Sequence, residues 1–228
     1  MKSEIKFISV MAVLTIIVVG AGLYISAKNG GQTGIPKPII KPELLIKVGS
    51  PMIENGVASL TKDTNLSTSS VTIVEFADYA CPACSALQPE MEKLLKKDPT
   101  IKYVYRTIPI HAQSKEEAKM VYASMSQGKF KEYASLIFKN QEEWDKTGVD
   151  FIPFFTKYAE SLGMDVAKLK ADSANPAIAA TIESDAKDGQ DLSIYATPTV
   201  LFVGPKGSTY TQGAVQESEL QKAVDSVK

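Results

Sequence analysis

Cysteine and histidine are scarce in this chain, and their scarcity limits the chemistry that it can perform. Cys81 and Cys84 are the only cysteines among its 228 residues, and His111 is the only histidine. A structural zinc site needs four nitrogen or sulfur ligands, which these residues cannot supply. A structural disulfide would use up the same two cysteines. We therefore predict no structural metal site and no bound cofactor.

Arginine is almost absent, and the charges as a whole are balanced. Arg106 is the single arginine, and lysine and arginine together number 25 against 26 acidic residues, for a formal net charge of −1. Proteins that bind nucleic acid neutralise its phosphates with clustered positive charge, and the sequence contains no such cluster. Nucleic acid is therefore excluded as a predicted partner. The length allows one domain with an insertion.

Long hydrophobic runs are absent except for one near the N-terminus. Phe7–Ile25 comprises 19 residues without a charge, which is longer than the roughly 7–15 residues of a secretory signal and close to the roughly 20 that cross a bilayer. We predict an uncleaved signal anchor that holds the chain in a cell membrane. A cleaved signal peptide is the alternative, because small residues such as Ala21 and Ala27 lie near the end of the run. The predicted organisation is a cytoplasmic N-terminus at 1–6, the anchor at 7–26, and a linker with an N-terminal extension at 27–65.

The two cysteines lie where a predicted strand meets a predicted helix. The strand is indicated by the β-branched run of Val71, Ile73 and Val74. Proline is favoured in the first turn of a helix, so Pro82 places Cys81 at a helix N-terminus, with Cys84 one turn further and within disulfide reach. The helix itself is indicated by apolar residues at helical spacing, which are Leu87, Met91, Leu94 and Leu95.

This placement of the cysteines predicts thiol–disulfide exchange. A helix N-terminus carries partial positive charge, which favours a thiolate at Cys81 and lowers its pKa. Cys81 is then the attacking sulfur, and Cys84 resolves the mixed disulfide. Glu75 is a third candidate, because strand alternation places it on the face of Val71 and Ile73, where burial raises the pKa of a carboxyl and allows proton exchange near neutrality. A glutamate that reaches solvent at a sheet edge is the alternative.

Helical patterns dominate the middle of the chain, between two β regions. Ile101–Pro109 is rich in tyrosine, valine and isoleucine and predicts a second core strand. Helical spacing then continues over residues 113–192, beginning with a predicted capping box formed by Ser114 and Glu117. The remaining predicted β elements are a short first strand around Val57–Leu60, a strand at Thr199–Val203, a turn at Gly204–Gly207 and a returning strand at Ser208–Gln212, before a closing helix.

These motifs, in this order, resemble the DsbA-like branch of the thioredoxin superfamily. The residues that carry the resemblance are Val74-Glu75-Phe76-Ala77-Asp78-Tyr79-Ala80-Cys81-Pro82-Ala83-Cys84 and Tyr195-Ala196-Thr197-Pro198-Thr199-Val200. The resemblance covers residues 66–228 and implies an α/β thioredoxin fold with an all-helical insertion at 113–192, preceded here by the N-terminal transmembrane helix. It implies that Glu75 manages the proton of Cys84, and that Pro198 is a cis-proline facing the active site.

The same resemblance implies how a polypeptide substrate is bound. The backbone of Thr197 would pair with an extended substrate segment beside Pro198, and Pro82 and Ala83 would also contact the substrate. Strongly oxidising members of the family carry histidine where this chain has Ala83. Alanine offers the Cys81 thiolate neither a charge nor a hydrogen bond, so a lower oxidising power is expected.

We therefore expect an extracytoplasmic thiol:disulfide oxidoreductase, an oxidase that introduces disulfides into reduced or misoxidised exported polypeptides. The family implies a quinone-linked membrane partner that reoxidises the Cys81–Cys84 pair. One alternative is the same exchange used for disulfide reduction or isomerisation. Another is a copper-handling protein that binds the metal through Cys81, Cys84 and His111.

Overall fold

Six strands form one mixed sheet in the described part of the chain. The computed structural model describes residues 36–54, 57–62 and 70–228. The strands are β1 (Pro51–Glu54), β2 (Val57–Leu60), β3 (Thr72–Ala77), β4 (Lys102–Thr107), β5 (Thr199–Gly204) and β6 (Gly207–Gln212). Their order is β2-β1-β4-β3-β5-β6, with β3 parallel to β4 and every other neighbouring pair antiparallel. β3 therefore lies inside the sheet, and all its residues are buried.

Eight α-helices accompany the sheet in the described residues, and six of them lie between β4 and β5. They are α1 (Pro82–Lys97), α2 (Ser114–Ala123), α3 (Phe130–Lys139), α4 (Gln141–Trp144), α5 (Ile152–Ser161), α6 (Val166–Ser173), α7 (Pro176–Asp191) and α8 (Glu217–Val227). Single 3-10 turns occur at Pro42–Leu44 and Ser124–Gln127. The predicted α/β fold with an all-helical insertion is confirmed, and the predicted hairpin is β5–β6.

Separate apolar clusters cover the two faces of the sheet. Alternation along β3 sends Ile73 to one face and Val74 and Phe76 to the other. The Ile73 face packs against α1, and the buried residues of the predicted α1 stripe are Leu87, Met91 and Leu94. Each fully buried side chain of this size contributes about 1.5–3 kcal/mol. This burial holds α1, and with it both cysteines, on the sheet.

The N-terminal extension contributes more to the fold than the sequence predicts. The strand predicted around Val57–Leu60 is present as β2, but β1 is an additional strand that pairs with both β2 and β4. Four residues beginning with a proline carry too little pattern to predict a strand. Leu45 and Ile46 are buried in the cluster that contains Val74. The compact unit accordingly spans Lys37–Lys228 and begins before the predicted domain boundary at residue 66.

The predicted cytoplasmic N-terminus and signal anchor, at 1–6 and 7–26, lie outside the described residues. Residues 27–35, 55–56 and 63–65 of the predicted linker and N-terminal extension also lie outside them. Among the helices that the structure describes, none has the length and apolar character needed to span a bilayer.

Arg106 fastens α7 to the sheet. Its fully buried guanidinium on β4 donates from Nε to Asp185 Oδ1 at 2.7 Å and from Nη2 to Asp188 Oδ2 at 2.6 Å. The guanidinium carbon lies 5.2 Å from the centroid of the Phe76 ring. Tyr122 of α2 donates its hydroxyl to Asp185 at 2.8 Å, so α2 joins the same cluster. Removing one partner of a buried ion pair costs about 3–5 kcal/mol, and the cluster therefore fixes the insertion to the sheet.

The prediction of a capping box at the start of α2 is wrong. Gln113 occupies the N-cap position, and no side chain caps the helix. Ser114 instead donates its hydroxyl to Asp78 Oδ1 at 2.5 Å, a carboxylate acceptor that the sequence pattern does not reveal. Glu117 is left buried, with 3% of its surface exposed, and its Oε2 has no hydrogen-bond partner among the described residues. Burial, followed by the charges of Asp78 and Asp145, raises the pKa of Glu117 to about 8.

Replacing Glu117 with glutamine should stabilise the protein increasingly as the pH rises. The pKa of Glu117 is about 8 in the folded chain and about 4.3 in the unfolded chain, so the folded state binds this proton more tightly. The resulting stabilisation is complete below the unfolded pKa and is lost as the pH rises through the folded pKa. Urea unfolding between about pH 5 and pH 8 should show the free energy of unfolding of Glu117→Gln rising above that of the wild type by up to about 1.4 kcal/mol per pH unit.

The matched control is Glu116→Gln, because Glu116 is the adjacent residue and its side chain is 60% exposed. Its free energy of unfolding should run parallel to that of the wild type over this pH range. A Glu117→Gln profile that is also parallel would mean that Glu117 is ionised in the folded protein, and would contradict the prediction.

Candidate active site

Cys81 and Cys84 lie at the start of α1, as predicted. Cys81 is the N-cap residue, with extended backbone angles (φ −81°, ψ 118°), and Pro82 begins the helix. The amides of Cys84 and Ser85 donate to the carbonyl oxygen of Cys81 at 3.0 and 3.1 Å. Cys81 exposes 7% of its surface and Cys84 only 1%, so Cys81 is the thiol that another molecule can reach. Pro82 is exposed beside it, and Ala83 is half-buried.

The two thiols differ in acidity. A hydrogen bond from the Cys84 thiol is the largest of the effects that set the pKa of Cys81, which is lowered to about 5 although burial opposes the shift. The Thr197 side chain and the amides of Cys84 and Ala83 also lower the pKa of Cys81. Burial raises the pKa of Cys84 far above its ordinary range. At neutral pH the reduced site therefore holds a thiolate at Cys81 and a neutral thiol at Cys84.

Thr197 and Pro198 lie against Cys81, immediately before β5. The Cys81 thiol donates to the carbonyl oxygen of Thr197 at 3.3 Å. The hydroxyl of Thr197 has no hydrogen-bond partner among the described residues. It can therefore donate to the Cys81 sulfur once that sulfur has lost its proton. The Thr197–Pro198 peptide bond is cis, as predicted. Pro198 is buried, whereas Tyr195 nearby is exposed.

Glu75 lies in the middle of β3, opposite Tyr105 on β4 and Val200 on β5. Its side chain is 1% exposed, so the predicted burial is confirmed and the solvent-facing alternative is wrong. Burial raises the pKa of Glu75 to about 7; a hydrogen bond from Tyr103 opposes this rise, and the charge of Cys81 adds to it. Glu75 can therefore hold or release a proton at neutral pH.

Asp78 organises the loops around the site and binds the single histidine. Its carboxylate accepts the amides of Ala80 at 2.9 Å, Ile110 at 2.7 Å and His111 at 3.2 Å, together with the Ser114 hydroxyl described above. His111 Nδ1 also lies 2.9 Å from Asp78 Oδ2. Within the described ranges, no group of three or more His, Cys, Asp and Glu side chains is arranged to hold a metal ion.

Tyr103 is a residue of this site that the sequence analysis does not identify. Its hydroxyl donates to Glu75 Oε2 at 2.6 Å. Strand alternation alone places Tyr103 and Tyr105 on one face of β4. Which of the two reaches Glu75 depends on the register between β3 and β4, and a single sequence does not give that register.

The solved structures and the family comparison agree on the fold. Residues 67–226 match the family described as Thioredoxin. A thioredoxin-like oxidoreductase from Silicibacter pomeroyi is 27% identical, with a TM-score of 0.64 over 82% of this chain and 96% of the other. The α-DsbA1 protein of Wolbachia pipientis, at 14% identity, shares the fold with a TM-score of 0.67 over 82% of this chain and 94% of its own.

Curated relatives include proteins of two kinds. The Na(+)/H(+) antiporter NhaA 3 of Salinispora tropica is 31% identical over 59% of this chain and 20% of its own length, so the chain spans about a fifth of that antiporter. The disulfide bond formation protein D of Bacillus subtilis is 24% identical over 57% of this chain and 62% of its own. The family match covers most of the described domain, including Cys81, Cys84 and Pro198. The chain therefore belongs to the thioredoxin family, and it shares the fold of the DsbA proteins.

Proposed function

We propose that this protein is a membrane-anchored oxidase that introduces disulfides into exported polypeptides outside the cytoplasm. The observation that carries the proposal is the contrast between the two thiols, with the pKa of Cys81 lowered to about 5 and that of the buried Cys84 raised. A sulfur that is stable as a thiolate is a good leaving group in disulfide exchange. The Cys81–Cys84 disulfide should therefore be transferred readily to a substrate.

The exchange has two steps, and electrons balance across them. A substrate thiolate attacks Cys81 of the oxidised pair, forming a mixed disulfide and releasing Cys84 as a thiolate, which takes a proton from Glu75. A second substrate thiolate then attacks the substrate sulfur of the mixed disulfide, and Cys81 leaves as a thiolate. The substrate loses two electrons and gains a disulfide, and the enzyme is left as the reduced dithiol.

The substrate is an extended polypeptide segment in this proposal. The backbone of Thr197, next to Pro198, is in contact with Cys81 and would pair with such a segment by strand addition. Pro82 and Ala83 follow the reacting cysteine in the first turn of α1. Backbone pairing recognises many sequences, which suits an enzyme with varied substrates.

The direction of exchange follows from which redox state contains the thiolate. Only the reduced form has a free Cys81, so lowering its pKa stabilises the dithiol relative to the disulfide. The folded pKa of about 5 lies below the unfolded value of about 8.5, so this stabilisation is complete above the unfolded pKa and is lost as the pH falls through the folded pKa. At pH 7 it amounts to about 2.7 kcal/mol, or about 60 mV for a two-electron couple.

The proposed location and redox partner rest on the sequence. The uncharged run Phe7–Ile25 is the proposed anchor, and the domain that follows would lie on the outer side of the membrane. Disulfides persist in oxidising compartments of this kind. A quinone-linked membrane protein would reoxidise the Cys81–Cys84 dithiol after each turnover. The name of the Bacillus subtilis relative, disulfide bond formation protein D, supports the oxidase direction.

The reduction potential distinguishes an oxidase from a reductase. Starting from about −270 mV for a thioredoxin, a gain of about 60 mV gives an expected potential near −210 mV. Equilibration of the protein with glutathione, followed by alkylation of the free thiols, measures this value. A potential at or below about −270 mV would assign the same site to disulfide reduction instead.

Reactivity with iodoacetamide should reveal the source of the Cys81 acidity. In the reduced protein, the alkylation rate of Cys81 should rise with a midpoint at about pH 5. The Cys84→Ala substitution removes the hydrogen bond that is the largest stabilising contact of the thiolate, so its midpoint should move upward. Cys84→Ser is the matched control, because a hydroxyl can still donate to Cys81. A wild-type midpoint near about 8.5, the value of an ordinary thiol, would contradict the prediction.

Removal of the resolving thiol should trap substrates. Cys84→Ser should accumulate mixed disulfides through Cys81 in intact cells, and the trapped chains should be exported polypeptides. Cys81→Ser is the control and should trap none, because Cys84 is buried. Gel electrophoresis without reductant, with identification of the adducts, measures both results. Adducts that form through Cys84, or that consist of cytoplasmic proteins, would refute the assigned roles or the assigned location.

A further inference from the structure

Glu75 has no direct contact with solvent, although its proposed role requires it to exchange protons. It is 1% exposed, and its strand, β3, lies between β4 and β5. In the described part of the chain its carboxylate has one hydrogen-bond partner, the hydroxyl of Tyr103 at 2.6 Å. Each oxidation of a substrate takes one proton from Glu75, and below its pKa of about 7 the carboxylate then takes up another.

Tyr103 connects Glu75 to an open cavity. The cavity has a volume of about 470 Å³ and lies between α1, α3 and the sheet, with Tyr103 in its wall. Its apolar lining includes Met91 and Leu95, and the charged residues around it are Glu92, Lys96, Lys131 and Glu132. A cavity of this size holds water wherever polar groups line it. The side chain of Tyr103 thus bonds to the buried carboxyl and also forms part of the cavity wall.

We propose that Tyr103 is a positioning residue for Glu75 and that protons reach Glu75 from this cavity through the Tyr103 hydroxyl. This inference rests on the proposed function. After Glu75 has given its proton to the Cys84 thiolate, its carboxylate takes the proton of the Tyr103 hydroxyl, which takes one from cavity water in the same step. Tyr103 ends unchanged, Cys84 ends as a neutral thiol, and water supplies the net proton.

The other titratable groups around Glu75 do not offer this route. Cys81 and Cys84 of α1 are the reacting sulfurs. Tyr79 and Tyr105 are buried, and neither hydroxyl has a hydrogen-bond partner in the described part of the chain. Tyr105 stands directly opposite Glu75 in the sheet register but is not bonded to it. Tyr105 therefore provides a matched control for the loss of a buried phenol beside the same carboxyl.

The experiment compares Tyr103→Phe with Tyr105→Phe in the full-length, detergent-solubilised protein. Reduction of the Cys81–Cys84 disulfide by glutathione is followed against pH, with rates corrected for the fraction of glutathione thiolate. The wild-type rate should fall as Glu75 ionises near pH 7. Glu75→Gln should abolish this step in the profile of rate against pH. A hydrogen bond to a carboxylate lowers its pKa, so Tyr103→Phe should move the step upward by about one pH unit. Tyr105→Phe should leave the step in place.

Net proton release tests the route itself. At about pH 6, two glutathione thiols lose two protons and Cys84 retains one, so a pH-indicator dye should show a net release of one proton per disulfide cleaved in the wild type and in Tyr105→Phe. In Tyr103→Phe, and also in Ser135→Phe, in which a larger side chain fills the cavity that Ser135 lines, slow return of a proton to Glu75 should give a transient release of nearly two protons that falls to one after cleavage.

The possible failures are distinct from one another. An unshifted step in Tyr103→Phe, or an equal shift in Tyr105→Phe, would overturn the positioning role. A release of one proton with no transient excess in both Tyr103→Phe and Ser135→Phe would overturn the route. If the wild type shows no exchange through Cys81 at all, it is the proposed function that fails.

Discussion

The thiolate at Cys81 is stable because three parts of the chain meet at its sulfur atom. They are the Cys84 thiol, the first amides of α1, and Thr197 before β5. Each contact depends on a larger element being held in place. Burial of the apolar stripe of α1 fixes the helix on the sheet, and pairing of β5 with β3 fixes the segment that carries Thr197. A lowered pKa at one atom therefore depends on the packing of the whole domain.

The two faces of the sheet hold opposite kinds of polar group. On the α1 face, Glu75 is buried without a positive partner, and its pKa is raised. On the other face, Arg106 is buried with two carboxylates that neutralise it. The first arrangement leaves a proton that can be exchanged, which suits catalysis. The second leaves nothing to exchange and fixes the helical insertion to the sheet, so Glu75 has a chemical role and Arg106 a mechanical one.

Local patterns predict much of this molecule, and long-range pairing accounts for what they miss. The strand, the cysteine pair and α1 are consecutive in sequence, so spacing and strand alternation suffice to predict them and to place Glu75 on the buried face. The bond from Tyr103 to Glu75 depends on the register of a parallel strand pair, which forms only after the chain has folded. The predicted capping box fails for a similar reason, because Asp78 approaches Ser114 from a distant part of the chain. The short strand β1 has too few residues to show the alternation of polar and apolar side chains that would predict a strand.

The narrow exposure of Cys81 has a consequence for timing. With 7% of its surface accessible, Cys81 presents little area to a cysteine that is fixed on the surface of another folded protein. A flexible chain can adapt its backbone to reach Cys81, although it loses conformational entropy in doing so. In the proposed exchange, a polypeptide substrate would therefore react while it is still unfolded, and its thiols would escape further oxidation once its own structure had buried them.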